Sequence, residues 1–287
     1  MESGTARQSE LSRRASVLWR APSPRSYTRF IGRQLLRLLL TVQGLGAFAL
    51  ITLGVMVRKF RSAPHVIHPL IRTQLARSGL RLLPMVLFIA AALGLVVIGQ
   101  MVALLTRVNA TQFLGPVMVT VVVRELGPLL TALIVLSRTG TESVIELGTA
   151  RALGEIEALE ALGIDPVHYL VVPRVVGMAL SIFALTVYFI LGALASGYLW
   201  AFLQDVPLRP GDYVAQIAAS LSALDFITLA LKALLFGAII ANVTCYHGLA
   251  QPLRLEQVSG ATVSAVAQSI VLCLLLDALF LTITLVT

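Results

Sequence analysis

The sequence predicts an all-α integral membrane protein in which an N-terminal interfacial or re-entrant helix precedes five transmembrane helices. Of its 287 residues, 57% are hydrophobic and only 13% are charged, and the mean hydropathy is +0.90. An average globular chain carries about a quarter charged residues, so this chain cannot build a water-exposed shell around a core. Several apolar stretches also reach the roughly 20 residues that a helix needs to cross a bilayer.

Five apolar stretches are the expected crossings. Backbone groups in hydrocarbon must bond within their own segment or close a barrel, and the stretches lack the period-two alternation of barrel strands. The crossings are therefore predicted to be helices. Small residues four apart, such as Gly192 with Ser196 and Gly237 with Ala241, allow close helix packing, either within the chain or between two copies. The predicted helices cover residues 82–106, 113–137, 175–203, 226–250 and 261–287.

An earlier apolar stretch, residues 35–57, has basic residues on both sides. Cytoplasmic loops carry an excess of Lys and Arg, so both flanks cannot be cytoplasmic if this stretch crosses the bilayer. We therefore expect it to lie in, or dip into, the cytoplasmic leaflet. With residues 58–81 cytoplasmic, the predicted topology places 107–111, 205–212 and the C-terminus outside, and 151–165 and 251–260 inside.

The basic residues are concentrated at the N-terminal end. Residues 1–81 hold 14 of the 22 Lys and Arg but only two acidic residues, Glu2 and Glu10, which predicts a cytoplasmic N-terminus. Nucleic-acid binding is disfavoured because aromatic residues for base stacking are sparse there. Arg-rich and acid-poor composition is also typical of an organelle transit peptide, so an organelle envelope stays an alternative to the favoured bacterial inner membrane.

Charged residues interrupt the second crossing and continue after it. Arg124 and Glu125 lie inside the apolar run, and Arg138, Glu142 and Glu146 follow at intervals of four, which places these three on one face of a helix. Charges within a membrane are costly and need a reason. Two interpretations remain open: an internal ion-pair network that orders the bundle, or the lining of a polar path.

A short acidic amphipathic helix is predicted between the second and third crossings, on the cytoplasmic side. Apolar residues recur every three positions, and Gly163 with Pro166 ends the pattern. The apolar stripe needs a covering surface, and the chain contains no soluble domain that would supply one. The stripe consists of Ile156, Leu159 and Leu162, and the polar positions are Arg151, Glu155, Glu157 and Glu160.

Enzymatic chemistry is not expected. A phosphate-binding loop ends in Gly-Lys-Ser/Thr, but Lys59 and Lys232 follow Arg58 and Leu231. The four histidines show no zinc-ligand spacing, and both cysteines lie in apolar runs where they are expected to be buried. We therefore predict no metal site, no bound cofactor and no catalysis in this chain.

The region that follows Arg124 resembles the MlaE (YrbE) permease family. The similarity is carried by RELGPLLTAL at 124–133, ELGT at 146–149, EALEALGIDP at 157–166 and YLVVPR at 169–174. It continues in Lys232 with FG at 236–237, in CYHG at 245–248, and in GAT at 260–262 with AV at 265–266. The resemblance covers the chain from about residue 80 to its end.

Members of that family are membrane subunits of ABC transporters that move lipids. The resemblance implies a homodimer, a separate cytoplasmic ATPase that uses ATP and Mg, an MCE-domain substrate-binding protein outside, and room for a small cytoplasmic accessory subunit. It identifies residues 151–163 as the coupling helix that docks on the ATPase. The residues expected to line the lipid path are Ile98, Val102, Arg124, Glu125 and Leu126.

Charge and hydropathy divide off a basic tail (1–34) and an interfacial helix with a basic segment (35–81), and the resemblance identifies the remainder (82–287) as a permease domain. This sequence departs from the family pattern at Glu142, an additional carboxylate, and around Gly154 and Glu155. A proton-coupled secondary transporter and a non-transporting scaffold remain alternatives. The relay groups of such a transporter would be Glu125, Glu142, Glu146, Asp225 or Asp277.

Overall fold

The computed structural model describes residues 42–58, 64–108, 110, 113–203, 210–249 and 254–286, and the regular structure within these ranges is helical. The chain divides into two compact units, Met1–Ala47 and Phe48–Thr287. The predicted tail (1–34), the start of the predicted interfacial segment (35–41), Asp205 and residues 251–253 lie outside the described residues. The helices are α1 (Val42–Arg58), α2 (His68–Arg107), α3 (Leu114–Ala152), α4 (Glu155–Ala161), α5 (Val167–Leu203), α6 (Pro210–Ser220), α7 (Ala223–Leu249) and α8 (Val258–Val286). The first turns of α2 belong to an α-helix that begins earlier, Pro64–Leu75, and a 3-10 turn, Leu255–Gln257, precedes α8.

The prediction of five membrane-length helices is confirmed. Within the described residues, α2, α3, α5, α7 and the helix containing α8 are long and apolar enough to cross a bilayer. By contrast, the described part of the predicted interfacial segment is a shorter apolar helix, Val42–Arg58. A multi-pass helical membrane protein follows from these lengths.

The core lies around α5, which packs against α2, α3 and α7. A Cβ placed on Gly197 of α5 would collide with the side chain of Ile98, and one on Gly237 of α7 would collide with the backbone at Ala179. The absence of side chains at these glycines therefore allows the helices to approach closely. The small residues at these two positions pack within the chain.

Two helices differ from the sequence-based expectation. The sequence predicts that the second crossing ends at residue 137, but α3 continues to Ala152, and its 39 residues span about 58 Å at 1.5 Å per residue. The connection after α5 contains a further helix, α6, that the sequence pattern does not predict. In α6, the Tyr213 hydroxyl donates a hydrogen bond to the Leu194 carbonyl at 3.2 Å, and burial raises the pKa of Tyr213 to about 12.

Widened π-helical turns interrupt α3 where it carries charge. The turn Val119–Leu126 contains Arg124 and Glu125, and the turn Leu136–Gly140 contains Arg138. Such turns occur frequently at functional sites because they leave backbone groups free of the regular pattern. They divide the charged residues of α3 into two groups, one inside the apolar run and one beyond it.

Candidate functional site

Five charged residues of α3, α7 and α8 meet inside the bundle, and we name them the mid-span group: Arg124, Glu125, Asp225, Lys232 and Asp277. The Arg124 Nε lies 2.8 Å from Asp225 Oδ1, and its Nη2 donates a hydrogen bond to Asp225 Oδ2 at 3.2 Å. Asp225 also accepts a hydrogen bond from the Ser222 N–H at 2.9 Å. The arginine thereby joins α3 to the first turn of α7.

Lys232 is the centre of the mid-span group. Its Nζ donates hydrogen bonds to Glu125 Oε2 at 3.0 Å and to the Arg124 carbonyl at 2.9 Å, and it forms an ion pair with Asp277 Oδ1 at 2.6 Å. The ammonium group thus contacts two carboxylates and one backbone carbonyl. Only 4% of the Lys232 side chain is exposed, and its charge is therefore balanced by protein groups and not by water.

Pro128 explains why the Arg124 carbonyl is available to Lys232. Proline has no N–H, and its ring blocks the carbonyl four residues earlier, which is that of Arg124. The Gly127 N–H instead reaches back to the Val122 carbonyl within the widened turn. In the RELGP sequence the Arg124 carbonyl thus lacks its usual donor four residues later, and the lysine of α7 donates to it.

The depth of the group accounts for its complete pairing. Glu125 lies eleven residues after the start of α3, Lys232 nine residues after the start of α7, and Asp277 nine residues before the end of α8. At 1.5 Å per residue these are about 14 to 17 Å from the same end of the bundle, or half of a hydrocarbon layer about 30 Å thick. A charge at that depth is stable only when it is paired.

The other three residues predicted to line the lipid path, Ile98, Val102 and Leu126, do not belong to the mid-span group. Leu126 is half-buried beside the mid-span group. Ile98 and Val102 are fully buried in the core, and Ile98 packs on Gly197 of α5. The expectation that these two side chains face a path does not agree with this burial, because the missing side chain at Gly197 creates the space that Ile98 fills.

A second set of charges surrounds the last turns of α3, and we name it the helix-end group: Arg77, Arg138, Glu142, Glu146 and Arg174. Arg138, Glu142 and Glu146 are all exposed, and they follow the apolar run that ends at Ser137. The expectation that these three form a charge cluster inside the membrane stays a prediction.

Glu146 connects three helices. Its carboxylate lies 3.1 Å from Arg174 Nη2 of α5 and 3.5 Å from Arg77 Nη1 of α2. Arg174 is buried and also donates to the Ser143 carbonyl at 3.3 Å. Arg138 and Glu142 have no side-chain ion pair with any residue that the structure describes, although their spacing would permit one.

The predicted acidic helix is present as α4, and it is shorter than the predicted 151–163. It begins after Gly154 (φ +80°) and is followed by Gly163 (φ +74°), both in the left-handed region that glycine adopts without strain. Arg151 Nε lies 3.2 Å from Glu157 Oε1, which fixes the entry to the helix. The remaining acidic residues of the helix, Glu155 and Glu160, are exposed.

The apolar stripe of α4 is partly covered by the chain itself. Ile156 is fully buried in the core, so the expectation that all three stripe residues need an external partner is wrong at this position. Leu159 is half-buried and lines a groove of about 510 Å³ with Tyr169 and Leu170. Leu162 is 76% exposed. The open surface of α4 is therefore Leu159, Leu162 and the acidic residues.

Pairing within the mid-span group was not predictable from the sequence. Arg124 and Asp225 are 101 residues apart, and Glu125 and Lys232 are 107 apart. The available signal was the presence of a charge inside an otherwise apolar run, which Lys232 and Asp277 both show. Among the described residues, no group of three or more His, Cys, Asp or Glu side chains could hold a metal ion.

Five long apolar helices in the described ranges, three of which carry the paired charges of the mid-span group, define a multi-pass helical membrane protein. A sequence profile of the family described as Permease MlaE matches residues 71–283. The chain therefore belongs to the MlaE permease family, as the sequence analysis predicted, and is a membrane permease subunit of an ABC transporter.

The relatives agree with this assignment. The chain is 30% identical to a probable ABC transporter permease protein of Rickettsia bellii over 85% of this chain and 92% of that protein. It is 32% identical to a probable ABC transporter permease protein of Synechocystis over 56% of this chain and 61% of that protein. It is also 30% identical to the protein named trigalactosyldiacylglycerol 1, chloroplastic, of Arabidopsis thaliana, over 69% of this chain and 56% of that protein.

Proposed function

We propose that this permease subunit moves phospholipid or a related lipid between membranes, as a homodimer powered by a separate cytoplasmic ATPase. The mid-span group is the observation that supports this function most directly. It brings charged groups to mid-depth beside apolar side chains, and Phe280 of α8 lines a narrow cavity of about 20 Å³ with Arg124 and Lys232. A lipid needs both kinds of surface because it carries a polar headgroup and apolar chains.

The name of one relative contributes to the choice of substrate. The Arabidopsis relative is named for trigalactosyldiacylglycerol, which is a lipid. In our proposal ATP and Mg are used by the partner ATPase, and this chain binds no cofactor. An MCE-domain protein receives or supplies the lipid outside, and a small cytoplasmic accessory subunit is a further partner.

The charge distribution supports an orientation in the bacterial inner membrane. Residues 1–81 carry most of the basic residues, so in our proposal the N-terminus is cytoplasmic and the C-terminus periplasmic. In this orientation α4 is cytoplasmic, and its open surface of Leu159, Leu162 and acidic residues docks on the ATPase. Ile156 has a different role because it attaches α4 to the permease core.

Transport by the complete complex tests the proposal. The complex is reconstituted in vesicles with a fluorescent phospholipid, and its movement is followed with and without ATP. We expect ATP-dependent movement that Glu125→Gln reduces at least tenfold, because the variant weakens the ion pair to Lys232. Glu256→Gln, at an exposed position before α8, serves as the matched control and should leave the rate unchanged.

The same assay separates the proposal from its alternatives. Movement that ignores ATP and collapses with a protonophore would indicate a proton-coupled transporter. The paired state of Glu125 and Asp277, which share Lys232, argues against their use as proton relays. A scaffold would show no lipid movement in either condition.

Docking of the ATPase is tested at Leu159. We expect Leu159→Asp to abolish copurification of the ATPase while membrane insertion is retained, because a charge would enter the apolar part of the contact. Leu255→Asp, at an exposed leucine of the 3-10 turn before α8, is the matched control. A complex that survives Leu159→Asp intact would contradict the proposed docking surface.

A further inference from the structure

A cleft of about 840 Å³ lies between the first part of α2 and the last third of α3. It shares no lining residue with the cavity at the mid-span group, and it adjoins the groove beside α4 at Ile145 and Glu146. It opens where both helices are irregular. In α2 the regular pattern breaks at Arg81, before Pro84, and in α3 the widened turn Leu136–Gly140 holds Arg138. These two irregularities place Arg81 and Arg138 in the wall of one cleft.

Three of the charged side chains that line this cleft form no ion pair within the described part of the chain. Arg81, Arg138 and Glu142 line it and are exposed, and none of their side chains forms an ion pair with another described residue. Arg77 and Glu146 also line it, but they pair with each other. The cleft thus presents two available guanidinium groups and one available carboxylate.

The position of the cleft along both helices matches the surface of a bilayer. A helix of 20 residues spans about 30 Å, the thickness of the hydrocarbon layer. Twenty residues back from Arg107, the last residue of α2, is residue 87, and twenty residues on from Leu114, the first residue of α3, is residue 134. Arg81 and Arg138 lie one to two turns beyond these positions, at the level of lipid headgroups. Met85, which also lines the cleft and is half-exposed, lies one turn deeper than Arg81, near the boundary between headgroups and acyl chains.

We propose that this cleft binds the headgroup of an aminophospholipid of the cytoplasmic leaflet. Arg81 and Arg138 hold its phosphate through charge-assisted hydrogen bonds, and Glu142 accepts hydrogen bonds from its ammonium group. Met85 contacts the first part of an acyl chain. The inference rests on the proposed orientation of the chain in the membrane and not on the direction or energy source of transport.

Lipid binding by the full-length chain tests this site without ATP or the ATPase. Native mass spectrometry measures the binding of phosphatidylethanolamine and phosphatidylglycerol to the purified protein. We expect tighter binding of phosphatidylethanolamine, and we expect Arg81→Gln with Arg138→Gln to weaken it about tenfold or more, since a charge-assisted hydrogen bond contributes at least that factor. Arg72→Gln is the matched control, because Arg72 is an exposed arginine of α2 outside the cleft.

Two further variants make the assignment specific. Glu142→Gln should remove the preference for phosphatidylethanolamine by improving the binding of phosphatidylglycerol, whose headgroup has no ammonium. The double replacement of Arg81 and Arg138 by Lys should retain part of the affinity, and it shows whether a loss in the Gln variant comes from charge or from misfolding. Thermal unfolding of each variant is measured alongside.

The soluble headgroup distinguishes a lipid from a free phosphate compound. O-phosphoethanolamine and inorganic phosphate should bind far more weakly than the lipid, because neither contacts Met85. Equal affinity for the soluble compound would overturn the lipid assignment. Unchanged lipid binding in the double Gln variant, or an equal loss in Arg72→Gln, would overturn the site itself. Neither result depends on whether the complex transports lipid.

Discussion

The mid-span group and the helix-end group contain the same kinds of residues but handle their charges differently. At mid-depth, every charged residue contacts an opposite charge, and Lys232 serves two carboxylates. At the end of α3, Arg138 and Glu142 are exposed, and their side chains form no ion pair within the described residues. The difference shows how surroundings decide the use of a charge: hydrocarbon requires internal partners, whereas the membrane surface leaves charges available for ligands.

The largest effect is expected at Lys232. Lys232→Met leaves Glu125 and Asp277 facing each other without a cation, and removal of one partner from a buried ion pair costs about 3 to 5 kcal/mol. We expect a large fall in thermal stability in detergent, measured by the loss of monodisperse protein on heating. A variant that also carries Glu125→Gln and Asp277→Asn should recover much of the loss, because it no longer contains an uncompensated charge.

If Lys232→Met were as stable as the unmodified chain, the comparison between the two groups would fail. The result would mean that water reaches the mid-span group freely. The small exposed fraction of the Lys232 side chain, 4%, argues for the opposite outcome.

An intermediate effect is expected at Glu146. Glu146→Gln removes the carboxylate beside Arg174, which is buried but keeps its hydrogen bond to the Ser143 carbonyl. The expected loss of stability is about 1 to 3 kcal/mol, the range for a buried charged group that loses a partner. Thermal unfolding measures it, and Glu146→Asp tests whether a shorter carboxylate preserves the connection. No loss in Glu146→Gln would show that Arg174 needs no carboxylate.

The smallest effect is expected at Glu142. Its side chain is exposed and unpaired among the described residues, so Glu142→Gln should change the free energy of unfolding by no more than about 0.5 kcal/mol. The same thermal measurement in detergent checks this. A large destabilisation would place Glu142 in a structural network and would weaken the contrast between the groups.

The sequence predicted the elements that depend on local composition. The five crossings follow from runs of apolar residues, and the short acidic helix follows from the spacing of Ile156, Leu159 and Leu162 and from Gly163 after them. Lys232 and Asp277 were visible as charges in apolar surroundings. Local composition predicts these features because each depends on a few neighbouring residues.

Features that depend on distant parts of the chain were not predictable. The pairing of Arg124 with Asp225 joins helices that are far apart in sequence, and no local pattern specifies it. The burial of Ile156 and of Ile98 depends on where α3 and α5 pack. The extension of α3 to Ala152 was missed because its last turns are polar, and polar residues were taken to mark the end of a crossing.

The buried side chain of Ile156 has a mechanical consequence for α4. The helix lies between two glycines with positive φ, Gly154 and Gly163, and these would by themselves allow it to rotate relative to the bundle. Ile156 opposes this rotation because its side chain is buried in the core. A force applied to the open surface of α4 would therefore reach the core through Ile156, and a smaller side chain at this position would weaken that connection.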